Sequence, residues 1–204
     1  MAEAAPLGRL AATLNTAAAA LSSLRKSWAL VGGLAVSART EPRFTRDVDM
    51  AVVVKDDEEA ESLVNTLLGR GCRLIASLEQ EATGRLATVR LVFPGEEESG
   101  VVVDLLFASS GIEPEVVAAG ETLEVLPGHE WPVARLGHLL ALKVLSQNEQ
   151  QPQDRVDIVA LIAQADDEAV DLARAAVRLI EARGYGRGRD VAAELEGVLE
   201  PRRS

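Results

Sequence analysis

Residues 28–54 read WALVGGLAVSARTEPRFTRDVDMAVVV, and this segment carries the strongest indication of a fold. The apolar run at 28–31 predicts a short buried strand that stops at Gly32-Gly33. The spacing then predicts a brief helix over 34–39 and a second strand over 45–54, whose second half is almost wholly apolar. A strand, a glycine turn, a helix and another strand in this order predict a fold of the α/β class.

Asp47 and Asp49 stand at the start of the second predicted strand, on either side of Val48. Because side chains alternate between the two faces of a strand, both carboxylates are predicted to point to the same face. Hard oxygen donors at this spacing suit Mg²⁺, which usually takes one or two carboxylates together with substrate phosphates. Two solvated aspartates at the end of a strand have the same pattern, so the pair alone leaves both interpretations open.

The Gly32-Gly33 turn lies between the first predicted strand and the short helix. Two glycines let backbone N–H groups approach a phosphate, and the N-terminus of the following helix adds partial positive charge. The same dipeptide is also typical of an ordinary tight turn. A phosphate-binding turn and a structural turn are therefore both consistent with these two residues.

Asp104 interrupts an apolar strand that is predicted over 101–107. A carboxylate at the centre of such a strand is costly unless it is paired with a cation or coordinates a metal. The residue types leave two alternatives for Asp104. It is either a metal ligand or a charge at a strand edge, held by a nearby arginine.

The whole sequence predicts an α/β sheet lobe over 1–127 and a helical lobe over 128–204. The further helices of the first lobe are predicted over 6–26 and 58–69, and its further strands over 72–77, 86–93, 101–107 and 122–126. From Pro132 onward the apolar spacing becomes helical. The glycine-rich segment 184–188 predicts a mobile loop between helices, because it lacks the preceding strand of a dinucleotide-binding turn.

Composition and charge exclude several kinds of site. Lys+Arg 21 and Asp+Glu 32 give a formal net charge of −11, so binding to arbitrary duplex DNA is not expected and any nucleic-acid contact needs a local basic patch. A single cysteine, Cys72, and two histidines exclude an internal disulfide and a four-ligand Cys/His zinc site. No uncharged stretch is long and apolar enough to span a membrane, so a soluble cytoplasmic protein is expected.

Four motifs follow one another in a recognisable order. They are Gly32-Gly33-Leu34-Ala35-Val36 with Arg39, Arg43-Phe44-Thr45-Arg46-Asp47-Val48-Asp49, Leu142-Lys143-Val144, and Asp154-Arg155-Val156-Asp157-Ile158. Together they resemble the nucleotidyltransferase superfamily, and most of all its AbiEii/AbiGii-like group, the abortive-infection toxins of bacterial type IV toxin–antitoxin pairs. The resemblance covers residues 28–162. It implies a small, mixed-sheet, polymerase-beta-like lobe followed by a C-terminal helical lobe.

The resemblance implies transfer of a nucleoside monophosphate from an NTP to an acceptor hydroxyl, with release of pyrophosphate. The expected metal is Mg²⁺ or Mn²⁺, its expected ligands are Asp47, Asp49 and Asp104, and these three with Lys143 form the expected catalytic set. The expected nucleotide-binding residues are Gly32, Gly33, Thr45, Arg46, Lys143 and Asp154. Asp104 would also take the proton of the acceptor hydroxyl, while Lys143 and Arg46 would neutralise the β- and γ-phosphates. Asp154 is expected to orient Lys143, and Asp157 to secure its helix.

The resemblance leaves the acceptor open between tRNA, a protein hydroxyl and a small molecule such as an aminoglycoside, and it implies a cognate antitoxin as a partner. An anionic chain suits a cationic aminoglycoside. By contrast, a cluster of Arg39, Arg43 and Arg46 near the site would suit an RNA end. A second class of function is a relative that binds nucleotide or a partner protein without chemistry, and the presence of all three carboxylates argues against it.

Overall fold

The computed structural model of the chain describes residues 4–43, 45, 47–81, 83–94, 101–147 and 152–200. Its strands are β1 (Trp28–Val31), β2 (Asp47–Val52), β3 (Arg73–Glu79), β4 (Leu86–Val92), β5 (Val102–Leu106), β6 (Glu121–Leu126) and β7 (His129–Val133). Its helices are α1 (Ala4–Ser23), α2 (Gly32–Arg39), α3 (Asp57–Gly69), α4 (Glu113–Ala118), α5 (Leu136–Ser146), α6 (Pro152–Gln164), α7 (Asp167–Ala182) and α8 (Val191–Leu199). Within these ranges no helix is both long and apolar enough to cross a membrane.

The strands form one sheet in the order β3-β4-β5-β2-β1-β7-β6. β2 is parallel to β5 and β1 is parallel to β7, whereas the other neighbouring strands are antiparallel. The predicted fold class, a mixed sheet combined with helices, is therefore confirmed. Every strand predicted from the sequence is present, with its ends within two residues of the expected positions.

The register of the sheet places four residues side by side on four neighbouring strands. Val31 of β1 lies opposite Asp49 of β2, Asp49 lies opposite Asp104 of β5, and Asp104 lies opposite Arg90 of β4. Side chains of directly opposed residues share one face of a sheet. The register alone therefore brings two carboxylates and a guanidinium together, from positions far apart in the sequence.

The two central strands have one apolar face and one polar face. Val48 and Met50 of β2 and Val103 and Leu105 of β5 are all fully buried, in the same core cluster as the apolar stripe of α1. Because side chains alternate along a strand, the aspartates between these residues point to the opposite face. Core packing therefore holds the strands in register, and this register sets the positions of the carboxylates.

Two elements were not predicted from the sequence, β7 and α4. Strand β7 continues the sheet beyond residue 127, and the helical segment begins only at Leu136. Pro132 obscured this strand, since proline is normally disfavoured within sheets, but burial of Trp131 and Val133 and pairing with β6 stabilise it. Helix α4 has a recognisable start, with Pro114 and acidic residues in its first turn. The division of the chain into two lobes stays a prediction.

Candidate active site

A cavity of about 570 Å³ opens on the polar side of β2 and β5, where α5, α6 and the α7–α8 loop also reach it. Its lining includes nearly all residues predicted for the site: Gly32, Gly33, Thr45, Asp47, Asp49, Asp104, Lys143 and Asp154. Arg46 lies outside the described residues. Residues from the strands and from the later helices therefore meet around one space.

The glycine turn lies directly against Asp49. Gly32 has a φ of +62°, and a Cβ atom at this position would lie 2.0 Å from Asp49 Oδ2. The Gly33 N–H donates a hydrogen bond to the Asp49 carboxylate, and a Cβ atom on Gly33 would lie 2.8 Å from Arg43 Nη2. The positive φ and the contact with Asp49 thus favour glycine at position 32, whereas a Cβ at position 33 would have to displace the Arg43 guanidinium. The Gly33 N–H was predicted from the sequence to bind a phosphate. In this structure the same N–H binds the Asp49 carboxylate.

Asp49 carries the most strongly shifted carboxyl group of the site. Burial and the nearby carboxylates of Asp104 and Asp47 raise its pKa to about 7, although Lys143 and the Gly33 N–H act in the opposite direction. The cause is a concentration of negative charge in a poorly solvated place. A cation bound there would relieve this repulsion and favour the ionised form of Asp49.

The oxygen donors of Asp47 and Asp49 fit a divalent cation that binds substrate phosphates at the same time. In the described ranges no three His, Cys, Asp or Glu side chains are arranged to hold one metal ion together. The expected third ligand, Asp104, has both carboxylate oxygens hydrogen-bonded to Arg90. The two-carboxylate part of the predicted metal site therefore fits its chemistry, and the participation of Asp104 stays a prediction.

Arg90 holds Asp104 in a bidentate ion pair. Its Nε lies 2.8 Å from Asp104 Oδ1 and its Nη2 lies 2.6 Å from Asp104 Oδ2. Asp104 is 7% exposed, and a buried carboxylate requires such a partner. The hydrogen bonds to Asp104 raise the pKa of Arg90 above its usual value, although desolvation lowers it. An arginine partner was one of the two alternatives that the sequence left open for Asp104.

Lys143 is held on the helical side of the cavity by two buried carboxylates. Its Nζ lies 2.7 Å from Asp154 Oδ1 and 2.9 Å from Asp157 Oδ2. Burial lowers the pKa of Lys143, but these two hydrogen bonds raise it above the usual value overall. Ser146 donates a hydrogen bond of 2.9 Å to the other oxygen of Asp154. Lys143 is therefore a charged and positioned cation at neutral pH.

Asp157 does not line the cavity, but it contacts two cations that do. It is 1% exposed, and Arg43 Nη2 lies 2.7 Å from the same Oδ2 atom that contacts Lys143. Burial raises the pKa of Asp157, but hydrogen bonds from Lys143 and Arg43 lower it below its usual value overall. This carboxylate therefore joins two cations, one near the glycine turn and one on α5.

Arg39, Arg43 and Arg46 were expected to cluster near the site. For Arg39 this expectation is wrong, because Arg39 does not line the cavity. Its Nε donates a 2.6 Å hydrogen bond to the Ala134 carbonyl, and its Nη2 lies 2.7 Å from Glu121. These partners stabilise the junction of α2 with β6 and β7, away from the cavity lining. Arg43 does line the cavity, because the chain turns back towards β2 after α2.

Arg90 and Arg187 line the cavity and were missed in the sequence. A usable signal existed for Arg90. It is the one charged residue of β4, as Asp104 is of β5, and opposite charges on neighbouring antiparallel strands often pair. For Arg187 the glycine-rich segment was recognised, but no local signal indicated that this loop reaches the cavity, because its position depends on contacts with α5 and with Gly111.

Comparison with protein families gives a match over residues 16–203 to AbiEii, described as "Nucleotidyl transferase AbiEii toxin, Type IV TA system". No individually curated protein is similar enough in sequence to count as a match.

Several solved structures are similar to this chain in their backbone fold. One is an antigenic nucleotidyltransferase-like protein from Paracoccidioides brasiliensis, with 17% identity, coverage of 90% of this chain and 91% of that chain, and a TM-score of 0.48. A second is the lincosamide antibiotic adenylyltransferase LnuA bound to lincomycin, with 13% identity, coverage of 75% of this chain and 96% of that chain, and a TM-score of 0.45. A third is the antibiotic-resistance factor ANT(2'')-Ia, with 14% identity, coverage of 94% of this chain and 90% of that chain, and a TM-score of 0.47. All three are distant similarities.

Proposed function

The chain belongs to the AbiEii family of nucleotidyl transferase toxins of type IV toxin–antitoxin systems, and from this premise we propose that it transfers a nucleoside monophosphate from an NTP to an acceptor hydroxyl. One observation carries the proposal. Asp49, with a pKa raised to about 7 among other carboxylates, lines the same cavity as Lys143. A site with crowded carboxylates and an opposed cation suits a metal-bound triphosphate.

Asp47 and Asp49 are the proposed metal-holding residues, for Mg²⁺ or Mn²⁺. When bound, such an ion supplies positive charge to the phosphate oxygens and lowers the cost of charge development during transfer. Gly32 and Gly33 contribute by leaving room for Asp49 and Arg43 in the cavity wall. The Gly33 N–H holds the Asp49 carboxylate in place before any ligand arrives.

Lys143 is proposed to stabilise the charge of the β- and γ-phosphates and of the leaving pyrophosphate. Its two carboxylate partners hold the ammonium group in position, so little reorganisation is needed when charge develops on the phosphates. Asp154 and Asp157 are therefore proposed as positioning residues. Arg43, held by the same Asp157, extends the positive charge towards the glycine turn.

Asp104 is the proposed acceptor-side base. It lies beside Asp49 in the register of the sheet, so an acceptor hydroxyl near Asp104 would be close to the metal-holding carboxylates. Arg90 hydrogen-bonds both oxygens of Asp104 in this structure, so one oxygen has to leave Arg90 before it accepts a proton. Arg90 is the more exposed partner, at 44% against 10% for the side chain of Asp104, and is able to move towards solvent.

The proposed acceptors are tRNA or a protein hydroxyl, with a cognate antitoxin as the partner that the family implies. A cationic small molecule, such as an aminoglycoside, is a second candidate acceptor. The formal net charge of −11 favours this candidate, since an anionic surface attracts a cationic substrate and repels a polyanion. Which acceptor is used therefore decides between a toxin and a small-molecule-modifying enzyme.

The test is a transfer assay with each NTP labelled at the α-phosphate, in Mg²⁺, offered total tRNA, a bacterial protein extract or an aminoglycoside mixture in separate reactions. We expect label to appear on one acceptor class, together with equimolar pyrophosphate. The Asp47→Asn/Asp49→Asn double variant is the matched control for contaminating activities. Binding of Mg²⁺-NTP without transfer to any acceptor would instead support a non-catalytic relative.

A further inference from the structure

The cations that line the cavity differ in whether a carboxylate already neutralises them. Lys143, Arg43 and Arg90 each contact a carboxylate at 2.9 Å or less. Among the described lining residues, Arg187 is the one cation that forms neither a hydrogen bond nor a salt bridge with a described residue. We propose that Arg187 binds the phosphates of the NTP, so that the loop between α7 and α8 completes the nucleotide site. This inference rests on the proposed nucleotidyltransferase function.

Arg189 anchors this loop to the helix that carries Lys143. Its guanidinium donates hydrogen bonds of 3.0, 3.0 and 3.1 Å to the carbonyls of Val144, Leu145 and Gln147. These carbonyls lie at the C-terminal end of α5, where they have no partners within the helix. Glu194 at the start of α8 holds the same guanidinium in turn. Arg187, two residues before Arg189, is therefore kept at the cavity that Lys143 also lines.

A second anchor fixes the loop to the other wall of the cavity. Tyr185 is 6% exposed and lies over Gly111, where a Cβ atom would be 2.4 Å from the tyrosine ring. Gly111 directly follows Ser109 and Ser110, which line the cavity. The predicted loop between helices is present, and it is attached to the rest of the protein on both sides of Arg187. The two attachments keep Arg187 at the cavity.

The backbone at Arg187 is also unusual. Its φ is +56°, in the left-handed region, and it lies between Gly186 and Gly188, the latter with a φ of +70°. Residues other than glycine adopt this conformation infrequently, and such residues are found preferentially at binding and catalytic sites. With this backbone conformation, Arg187 lines the cavity.

The electrostatic surroundings of Arg187 favour an anion. Arg187 is exposed to solvent at the cavity, where partial burial and the neighbouring Arg189 lower its pKa and Glu81 acts in the opposite direction. A phosphate group would supply the missing opposite charge through charge-assisted hydrogen bonds. Through Arg189, the loop of Arg187 is attached to the end of α5, the helix that carries Lys143, which is the proposed ligand of the β- and γ-phosphates. The triphosphate is therefore favoured over the acceptor as the ligand of Arg187.

The experiment measures binding of the α,β-methylene analogues of ATP, GTP, CTP and UTP, with Mg²⁺, by isothermal titration calorimetry. Arg187→Gln should weaken binding of the preferred analogue by about tenfold or more, the loss typical of one charge-assisted hydrogen bond. Arg187→Lys should recover part of the affinity. Arg178→Gln removes the same charge from an exposed position on α7 and should change the affinity less than twofold.

Unchanged affinity of a folded Arg187→Gln protein would overturn the inference while leaving the proposed nucleotidyltransferase function intact. The same holds if nucleotide affinity is unchanged and only the affinity for the acceptor falls. Failure of the unmodified protein to bind any analogue would reject the proposed function and the inference together. Thermal melts confirm that each variant is folded, and Gln has the same backbone constraint as Arg at a positive φ, so the comparison isolates the guanidinium.

Discussion

Arg90 and Asp104 face each other across neighbouring strands, with two parallel N–H···O hydrogen bonds of 2.8 and 2.6 Å. Both residues interrupt apolar strands, and the antiparallel register of β4 and β5 brings them together. The pair neutralises the carboxylate that lies beside Asp49, in the centre of the candidate site. Arg90 thereby supplies a counter-charge to Asp104, next to Asp47 and Asp49.

Replacing Asp104 tests its proposed role as acceptor-side base. Asp104→Asn should reduce single-turnover transfer at saturating Mg²⁺-NTP by about 10²–10⁴-fold, the usual contribution of a general base. Most of the NTP affinity should remain, because Asp47 and Asp49 are unchanged. Asp167→Asn, at an exposed position on α7, is a control for the loss of one negative charge. A folded Asp104→Asn protein with a near-normal rate would restrict the role of Asp104 to its ion pair with Arg90.

Replacing the carboxylates of β2 should separate metal binding from folding. Asp47→Asn and Asp49→Asn should each abolish transfer and weaken Mg²⁺-NTP binding in calorimetry, since a neutral amide binds Mg²⁺ poorly. In EDTA at pH 8, Asp49→Asn should also unfold at higher temperature than the unmodified protein. The pKa of Asp49 is raised from 3.8 to about 7. The folded state therefore loses stability as the pH rises from 3.8 to about 7, and the whole loss, about 1.36 kcal/mol for each pKa unit, is present at pH 8. Normal turnover in either variant would remove that carboxylate from the mechanism.

Asp157→Asn should affect both cations that share this carboxylate. Lys143 and Arg43 would lose part of their charge compensation, and we expect a stability loss of about 1–3 kcal/mol because the site is buried. Transfer should fall with a larger effect on kcat than on KM, since the proposed role of Lys143 is strongest when pyrophosphate leaves. Asp171→Asn changes an exposed salt bridge on α7 and should leave both quantities nearly unchanged. Equal effects of the two substitutions would contradict a positioning role for Asp157.

His138 should make the stability of the protein dependent on pH below neutrality. It is 4% exposed, and burial together with Arg135 lowers its pKa from 6.5 to about 4, although Glu115 acts in the opposite direction. The unfolded chain therefore binds a proton more readily, and the folded state loses stability as the pH falls from 6.5 towards 4. His138→Leu should remove this loss, which is on the order of 3 kcal/mol. Parallel curves of unfolding free energy against pH for the two proteins would contradict the prediction.

Gly32→Ala should disturb the site through Asp49. The alanine would be strained at a φ of +62°, and its Cβ would overlap the Asp49 carboxylate, so we expect a stability loss of more than about 1 kcal/mol and loss of transfer. Gly69→Ala is the matched control, since Gly69 lies at the end of α3 with no atom near the added Cβ. That control should be neutral or stabilising by up to about 1 kcal/mol. Similar melting temperatures for the two variants would show that Asp49 moves freely away from Gly32.

Several features of the site could be predicted because their signals are local. Asp47 and Asp49 share a face through the two-residue period of a strand, which is a property of any extended backbone. Gly32-Gly33 ends a buried strand, and the helices with Lys143 and with Asp154 and Asp157 have a clear apolar spacing. The residue identities and the order of the motifs were therefore sufficient to place the elements and most of the site residues.

The features that could not be predicted depend on contacts between residues far apart in the chain. Arg90 meets Asp104 because two strands pair in one register, Asp157 meets Arg43 across 114 positions, and Arg187 reaches the cavity through the contacts of Arg189 and Tyr185. Periodicity predicts which face of an element a side chain occupies, but it contains no information on which element packs against that face. Local spacing in the chain was thus sufficient to predict the strands, the helices and the carboxylate pair. Packing and register, which depend on the whole core, established which cation each carboxylate contacts.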